Sequence, residues 1–411
     1  MSAIKQKADM SLRWAAILLG ASLPISVALD NLLLAVILLA WLAGGNWRGC
    51  LQRWNRAPVA WAALALLALL VLGCAWGPGN VEDNLHFLRK SSHLLLLPLL
   101  IASPWRERDR EYALLAFAAA MGLTLTISYC YWWQIIPVES TVNRSAQNPV
   151  VFKLHITQSI LMAYAAYLAA VAALLAPTRS RRLLLTGLAG LAAFNVLFMV
   201  QGRTGYLVLG GLAAWFFFDR FRWRGLALAA GGGAVLLGIA YALHLPMVDR
   251  LLLMSRDYEL WRAGSGGETS IGARLDFYRT SLAIIAEHPL FGVGTGGYSK
   301  AYAQATAGSG LTVWNNPHNQ YLLNTVQLGI FGLCALLALF ASVWRGARAL
   351  TPPLRLATQG LLLSIALGCL LNSLLIDHTE GLFFSWLAAM LLARSEDPAE
   401  SAGGMERGPT S

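Results

Sequence analysis

The sequence predicts an all-α polytopic membrane protein of about twelve transmembrane helices, with one large loop outside the membrane between helices nine and ten. Three observations carry this reading. Hydrophobic residues make up 57% of the 411-residue chain and charged residues 13%, with a mean hydropathy of +0.56, which excludes a soluble core. Apolar runs close to the ~20 residues that cross a bilayer recur along the chain. A single long hydrophilic stretch, 244–317, interrupts them.

Taken in order, the predicted spans are 13–29, 31–44, 58–76, 85–102, 112–134, 155–176, 182–201, 204–219, 225–243, 319–343, 355–375 and 380–394. Pro24 and the Asp30-Asn31 pair divide the first two, which also read as one span plus a re-entrant piece. No small-residue cleavage site follows the first span, so it is read as a retained helix. The chain then divides into 1–243 with spans one to nine, the loop 244–317, 318–394 with spans ten to twelve, and a short polar tail, 395–411, expected to be disordered.

The net charge of +10 invites a nucleic-acid reading, but its distribution argues against one. Alternate short loops are basic: Arg48/Arg53/Arg56, Arg106/Arg108/Arg110, Arg179/Arg181/Arg182, Arg220/Arg222/Arg224 and Arg345/Arg348/Arg355. With Lys5, Lys7, Arg13, Arg394 and Arg407 they account for 20 of the 31 basic residues. The positive-inside rule places them all in the cytoplasm with both termini, which requires an even number of spans. The surplus is topological. Eleven basic residues remain on the outer side, among them Arg89, Lys90, Lys153, Arg203, Arg250, Arg274 and Arg279. Charges at span ends are costly at membrane depth unless they have a partner, which makes them functional candidates.

Within the loop, 247–262 alternates apolar and basic residues as an interfacial helix does. Gly264-Ser265-Gly266-Gly267 breaks the pattern. Thr269 or Ser270 can cap a second helix that runs to about Glu287, its apolar face being Ile271, Leu275, Tyr278, Leu282 and Ile285. Arg274 flanks that face, Arg279 points elsewhere, and the helix stops at His288-Pro289. The glycine run Phe291–Tyr298 lacks a parallel-sheet context for dinucleotide binding and reads as a tight turn at the membrane surface. Cys74 and Cys130 fall near outer helix ends, but free thiols are expected.

His318, after Pro317 and at the mouth of span ten, is the candidate general base: a neutral imidazole can take a proton from an attacking hydroxyl. Arg203, in a two-glycine link between spans seven and eight, is placed to grip two phosphate oxygens with its guanidinium fork. Arg274 is similarly placed on a helix. Arg89-Lys90, and Lys153 with His155, stand where outer loops enter spans four and six; snorkelling to lipid headgroups is the common fate of such residues, and contact with a pyrophosphate or saccharide the functional one. Asp377 lies in the acidic turn between spans eleven and twelve, where capping a helix is its simplest role. No Asp-x-Asp, His-Glu-x-x-His, P-loop or Gly-x-Ser-x-Gly occurs, so no metal site is expected and arginines would have to neutralise a diphosphate leaving group.

Arg203-Thr-Gly, Arg274 with Phe277-Tyr278, His288-Pro-Leu-Phe-Gly-Val-Gly-Thr-Gly-Gly-Tyr298, Pro317-His-Asn-Gln-Tyr-Leu322 and Gln327-Leu-Gly-Ile-Phe-Gly332 together resemble the O-antigen ligase and polymerase superfamily of bacterial inner membranes. The resemblance is strongest over about 195–335, and glutamate often stands where this chain has Gln327. Within the superfamily the chain looks most like the ligases. That resemblance implies a metal-independent, cofactor-free, inverting transfer of O-antigen polysaccharide from undecaprenyl diphosphate to a lipid A–core sugar hydroxyl at the periplasmic face. It maps the essential histidine and two arginines onto His318, Arg203 and Arg274, and an early basic residue onto Lys90. From the residues themselves, further substrate contacts are expected at Arg89, Lys153, His155, Asn319, Tyr321, Tyr298 and Asp377.

An O-antigen polymerase would share donor and fold but take another lipid-linked glycan as acceptor. A protein O-oligosaccharyltransferase would be expected to carry a larger soluble portion after its last spans, whereas about 17 residues follow span twelve here. A lipid-linked-oligosaccharide transporter would be expected to show polar residues through the midplane, and these spans are nearly all Leu, Ala, Val and Gly.

Overall fold

A computed structural model describes residues 3–394 apart from 46, 142–143, 265–268 and 310. The tail 395–411 and most of the predicted glycine break lie outside the described residues. The helices, in chain order, are α1 (Ala3–Ser22), α2 (Val27–Gly44), α3 (Trp47–Asn55), α4 (Pro58–Gly73), α5 (Val81–Ser91), α6 (Leu96–Ile101), α7 (Glu107–Trp132), α8 (His155–Leu175) and α9 (Arg179–Phe194). They continue as α10 (Arg203–Phe221), α11 (Trp223–Ala242), α12 (Pro246–Arg262), α13 (Ser270–Glu287), α14 (Tyr298–Ala305), α15 (Gln320–Arg348), α16 (Pro352–Gly368) and α17 (His378–Leu392). Among the described residues there is no β-strand beyond two isolated bridges.

Every predicted apolar stretch is helical, but not every one is a single long helix. Six helices among the described residues are long and apolar enough to cross a membrane: α2, α7, α8, α9 with the turn that extends it, α11 and α15. A seventh candidate arises if α3 and α4, bent by 101°, are joined. Several others depart for visible reasons. α1 carries Lys5, Lys7, Asp9 and Arg13, and α16 and α17 are only 17 and 15 residues long. The fourth stretch is broken into α5, a 3₁₀ turn at Ser92–Leu95 and α6.

α17 is the axis of the bundle. All of its residues from Thr379 to Leu391 are buried, as expected of a helix apolar on all sides. Phe383 stacks on Phe117 of α7 at 5.2 Å and meets Tyr164 of α8 edge-on at 5.5 Å. The Trp386 indole donates to the Ala16 carbonyl at 2.8 Å. At one end of the bundle, charged residues from the predicted cytoplasmic loops pair: Arg13 with Asp109 at 2.6 Å and Arg355 with Asp219 at 3.1 Å. Arg203, at the start of α10, lies at the other end of that helix from Asp219, and His318 precedes α15 just as Asp377 precedes α17.

α15 is not one straight helix. Gly329, at φ 60° and ψ −153°, breaks it into 320–328 and 330–348. The break strips carbonyls of their helical partners, and the glycine turn fills in: Val293 N–H donates to the Val326 oxygen and Gly294 N–H to that of Gln327, both at 2.8 Å. Ile330 N–H completes the junction on the Pro289 carbonyl at 2.9 Å. Gln327 Oε1 accepts from Gly296 N–H at 2.6 Å, so an amide serves here as a backbone acceptor. The turn needs its glycines, because Gly292, Gly294 and Gly296 all lie at positive φ.

The large loop contains α12, α13 and α14. Thr269 caps α13 by accepting from Gly272 N–H at 3.0 Å, and α13 ends at Glu287 as the sequence predicts. Its buried face differs from the predicted one. Gly272, Phe277, Ser281 and Ile284 point inward, while Leu282 is 58% exposed. The helix is rotated because Phe277 packs into an aromatic cluster with Tyr302, Trp314 and His318. No disulfide forms among the described residues.

Gly329→Ala should destabilise the fold. The alanine Cβ would lie 2.1 Å from the Leu290 carbonyl oxygen, and this backbone conformation, essentially confined to glycine, costs another residue of order 1–3 kcal/mol. A clear drop in melting temperature in detergent is expected; an unchanged melting curve would show that the junction tolerates a side chain.

Candidate active site

Three helices begin at one cavity. His155 opens α8, Arg203 opens α10 and Ser270 opens α13; all three line a space of about 270 Å³ together with Gln201, Thr204, Arg250 and Arg274. Helix N-termini present unsatisfied N–H groups and the positive end of the macrodipole, which favours an anion. Three guanidiniums add full charges, and no carboxylate is among the lining residues.

The chain is shaped to place Arg203 there. α9 ends in a π-helical turn, Asn195–Met199, a one-residue widening that is frequent at functional sites. Asn195 anchors it by donating to Ser128 Oγ at 2.8 Å. The backbone then extends through Val200–Gly202, with Gln201 N–H on Asn148 Oδ1 at 2.8 Å, before α10 starts at Arg203. Gly202 and Gly205 lie against Ser159 of α8, so closely that a Cβ would approach its hydroxyl to 2.4 Å and 2.7 Å. One guanidinium nitrogen of Arg203, Nη1, is buried and has no hydrogen-bond partner among the described residues. Arg250 is held by Tyr206, whose hydroxyl accepts from its Nη1 at 2.8 Å. For Arg274, burial pushes the guanidinium pKa down and Arg203 adds to this, while Tyr278 opposes it. The three guanidiniums are thus held in an electrostatically unfavourable arrangement, one that an oxyanion would relieve.

His318 stands beside this charge. Its pKa is lowered, first by burial and then by Arg274, which holds the ring in the neutral, proton-accepting form. The ring lies 5.9 Å from that of Phe277 and 6.4 Å from that of Trp314, centroid to centroid. No hydrogen bond to the imidazole forms among the described residues. The backbone is strained, with φ 52°, a conformation that costs a non-glycine residue of order 1–3 kcal/mol and concentrates at functional sites. Asn316 Oδ1 restrains it by accepting from His318 N–H at 2.9 Å.

A connector that sequence reasoning missed ties the parts together. Between α16 and α17, Asn372 donates to Thr204 Oγ1 at 2.8 Å and Ser373 to Asn316 Oδ1 at 2.6 Å. Tyr278 and Asn319 both donate to the Leu370 carbonyl, at 2.7 Å and 3.0 Å. Leu375 N–H reaches Gln320 Oε1 at 2.9 Å. The sequence signal was present in Asn372-Ser373, a polar pair within an apolar run. Arg250 was visible only as one of many loop arginines.

The remaining predicted residues are distributed more widely. Asn319 caps α15 and is buried; the Tyr321 hydroxyl donates to the Ala366 carbonyl at 2.9 Å. Tyr298 is buried with its hydroxyl 3.2 Å from that of Ser281, an arrangement that fits packing rather than substrate contact. Arg89 and Lys90 are exposed near the end of α5, and Lys90 is within electrostatic reach of Asp377. Asp377 occupies the N-cap position of α17 but makes no capping hydrogen bond, contrary to the simplest expectation.

Lys153 faces inward instead of toward the cavity. Its ammonium lies 3.7 Å from Asp30 Oδ2, to which His378 Nε2 also comes within 3.6 Å. Asp30 is fully buried and also accepts from Ser22, while Thr157 of α8 donates to Glu380 at 2.5 Å. This network ties α2, α8 and α17 just behind the N-terminus that presents His155.

Residues 188–337 match the O-antigen ligase family model. The match includes Arg203, Arg250, Arg274 and His318, and it supports the O-antigen ligase/polymerase superfamily for this chain. Members of that family are glycosyltransferase-like enzymes of the membrane that work on lipid-linked polysaccharide. A stretch of 78 residues is 38% identical to an uncharacterized protein of Haemophilus influenzae, covering 17% of this chain and 18% of that protein.

Removing one member of the Asp30–Lys153 pair leaves a buried charge, a loss of about 3–5 kcal/mol. Lys153→Met and Asp30→Asn should each lower the melting temperature sharply, and the double variant should recover part of the loss. Strictly additive losses would show that the two groups are not coupled.

Proposed function

We propose that this protein is an O-antigen ligase, a transferase that moves O-antigen polysaccharide from undecaprenyl diphosphate to a hydroxyl of the lipid A–core at the periplasmic face of the inner membrane. The observation that carries the reading is the convergence of three helix N-termini and Arg203, Arg250 and Arg274 on one cavity, with a neutral histidine alongside. Such a cavity suits a diphosphate. In this reading the polypeptide makes twelve crossings, with the predicted basic loops and both termini in the cytoplasm.

The guanidiniums clamp the diphosphate and orient the anomeric carbon. His318 takes the proton of the acceptor hydroxyl as its oxygen attacks that carbon from the face opposite the phosphate. The sugar–phosphate C–O bond breaks, its electron pair leaves with the diphosphate, and the configuration inverts. The arginines stabilise the charge that develops on the leaving group, the role a divalent cation fills in other diphosphate chemistry. General-base assistance of this kind contributes about 10²–10⁴ in rate.

Loss of the gene's product in cells tests the class of reaction. Long lipid-linked polymer should accumulate; accumulation of single repeat units would make the protein a polymerase instead.

In a purified transfer assay Arg203→Lys and Arg274→Lys keep the charge but lose the bidentate fork. Each should reduce transfer roughly 10- to 100-fold, the worth of about 1.5–3 kcal/mol for a charge-assisted contact. Native rates in both would demote the arginines. Chelator should leave the purified enzyme active, and loss of activity that magnesium restores would overturn the metal-independent mechanism.

His318→Gln preserves hydrogen bonding but cannot accept a proton, so it should be almost as inactive as His318→Ala. The imidazole pKa is depressed, so the active neutral form is present above it and lost as pH falls through it. The acid limb of the rate profile should therefore lie below the ordinary value of about 6.5. A glutamine variant with near-native transfer would end the assignment.

A further inference from the structure

A second cavity, of about 640 Å³, opens at the far end of α13 from Arg274 and is unlike the first. Its walls are Trp76 and Pro78 from the α4–α5 link, Glu287 and His288 at the end of α13, Val293 of the glycine turn and Gln304 of α14. The Trp76 indole is 44% exposed. It is held by its Nε1–H donating to the Phe291 carbonyl at 3.1 Å, and it packs edge-on to the Phe291 ring at 6.2 Å. No lysine or arginine lines the space.

We infer that this cavity is a saccharide subsite, in which a sugar ring lies on the Trp76 indole while its hydroxyls bond to Glu287, His288 and Gln304. The chemistry disfavours a phosphate group, because the lining offers the Glu287 carboxylate and no arginine or lysine, and the nearby Lys300 ammonium is engaged by the Pro78 carbonyl. A purely apolar ligand would leave the carboxylate, imidazole and amide unused. A pyranose satisfies both walls: its C–H face is apolar and its rim alternately donates and accepts hydrogen bonds. An aromatic body beside convergent polar groups, in a cavity between roughly 300 and 1,000 Å³, is the usual make-up of a small-molecule site.

The cavity is built rather than incidental. Its floor is the glycine turn, pinned to the α15 break by the Val293 and Gly294 hydrogen bonds at 2.8 Å and to α4 by Thr295 Oγ1 on the Leu70 carbonyl at 2.6 Å. Lys300 Nζ of α14 holds the α4–α5 link by donating to the Pro78 carbonyl at 2.7 Å. Between Arg274 and Glu287 the helix rise gives a separation of roughly 20 Å. A glycan chain reaching this cavity would thus be held several sugar units away from the diphosphate. The inference rests on the glycosyl-transfer reading for its choice of saccharide, and it would explain why the loop helix α13 extends well beyond Arg274.

Two glycan sources share this chemistry, the acceptor core and the donor polysaccharide, and the test separates them. The full-length protein in detergent is titrated with delipidated core oligosaccharide and, separately, with free O-polysaccharide, and binding is read by saturation-transfer NMR. One of the two should bind, and the one that does identifies the source. Trp76→Ala should weaken that binding by about tenfold or more, Gln304→Ala should also weaken it, and Trp76→Phe should restore most of it. His318→Gln should abolish transfer while leaving binding as in the native protein. Binding of neither glycan, or binding unaffected by both Trp76→Ala and Gln304→Ala, would overturn the subsite. Trp76-dependent binding in a native protein that transfers no glycan would instead sink the ligase reading and leave the subsite standing.

Discussion

The site depends on positive charge that the fold declines to neutralise. Arg203, Arg250 and Arg274 face one cavity whose lining includes no carboxylate, although the chain has 21 acidic residues to draw on. Three other cations are paired with carboxylates: Arg13 with Asp109, Arg355 with Asp219, Lys153 with Asp30. Like charges held together oppose folding, so the elements bearing them must be fixed by other means. The α16–α17 connector supplies these, through hydrogen bonds to Thr204, Tyr278, Asn316, Asn319 and Gln320. Apolar burial around α17 supplies the rest, since that helix is buried along nearly its whole length. Walls fixed in this way preorganise positive charge, which an anion would meet without rearrangement of the protein.

Much of this was legible in the sequence. Hydropathy found every apolar helix, and Thr269 and His288-Pro289 marked the limits of α13. The signals that failed were those governed by tertiary contact. Periodicity assigned α13 a buried face one residue out of phase, because a single aromatic, Phe277, outweighs several aliphatics when it meets Tyr302, Trp314 and His318. The break at Gly329 sits in a run as apolar as any other span, and only its hydrogen bonds to the glycine turn explain it. Hydropathy averages also cannot separate a helix that faces lipid from one that forms the centre of a bundle, and α17 is of the second kind.

The candidate residues divide along the same line. Arg203 and Arg274 could be singled out because charge at a helix end is conspicuous in an apolar chain. Arg250 could not be told from its neighbours Arg256 and Arg262, since one helical loop segment carries all three and only Arg250 reaches Tyr206. Tyr298, Tyr321 and Asn319 belong to a motif-rich stretch, yet their polar atoms are engaged with Ser281, Ala366 and Leu370. Their residue types follow from the need to hold His318 and the glycine turn in shape. A motif can thus mark a site through the residues that build it as well as those that touch substrate.

His318 shows how the two kinds of residue depend on each other. A left-handed φ at a non-glycine position persists only where its surroundings over-determine it. Here Pro317 precedes it, Asn316 holds its N–H, Asn319 begins α15 directly after it, and Phe277 and Trp314 flank the ring. Asn316 is in turn held by Ser373, and Asn372 beside it binds Thr204, the residue after Arg203. His318 and Arg203 are therefore linked by a short polar chain through the α16–α17 connector. That connector lies beyond residue 337, where the family match ends. The candidate residues Arg203, Arg250, Arg274 and His318 fall inside the matched segment, while contacts that fix their positions come from outside it.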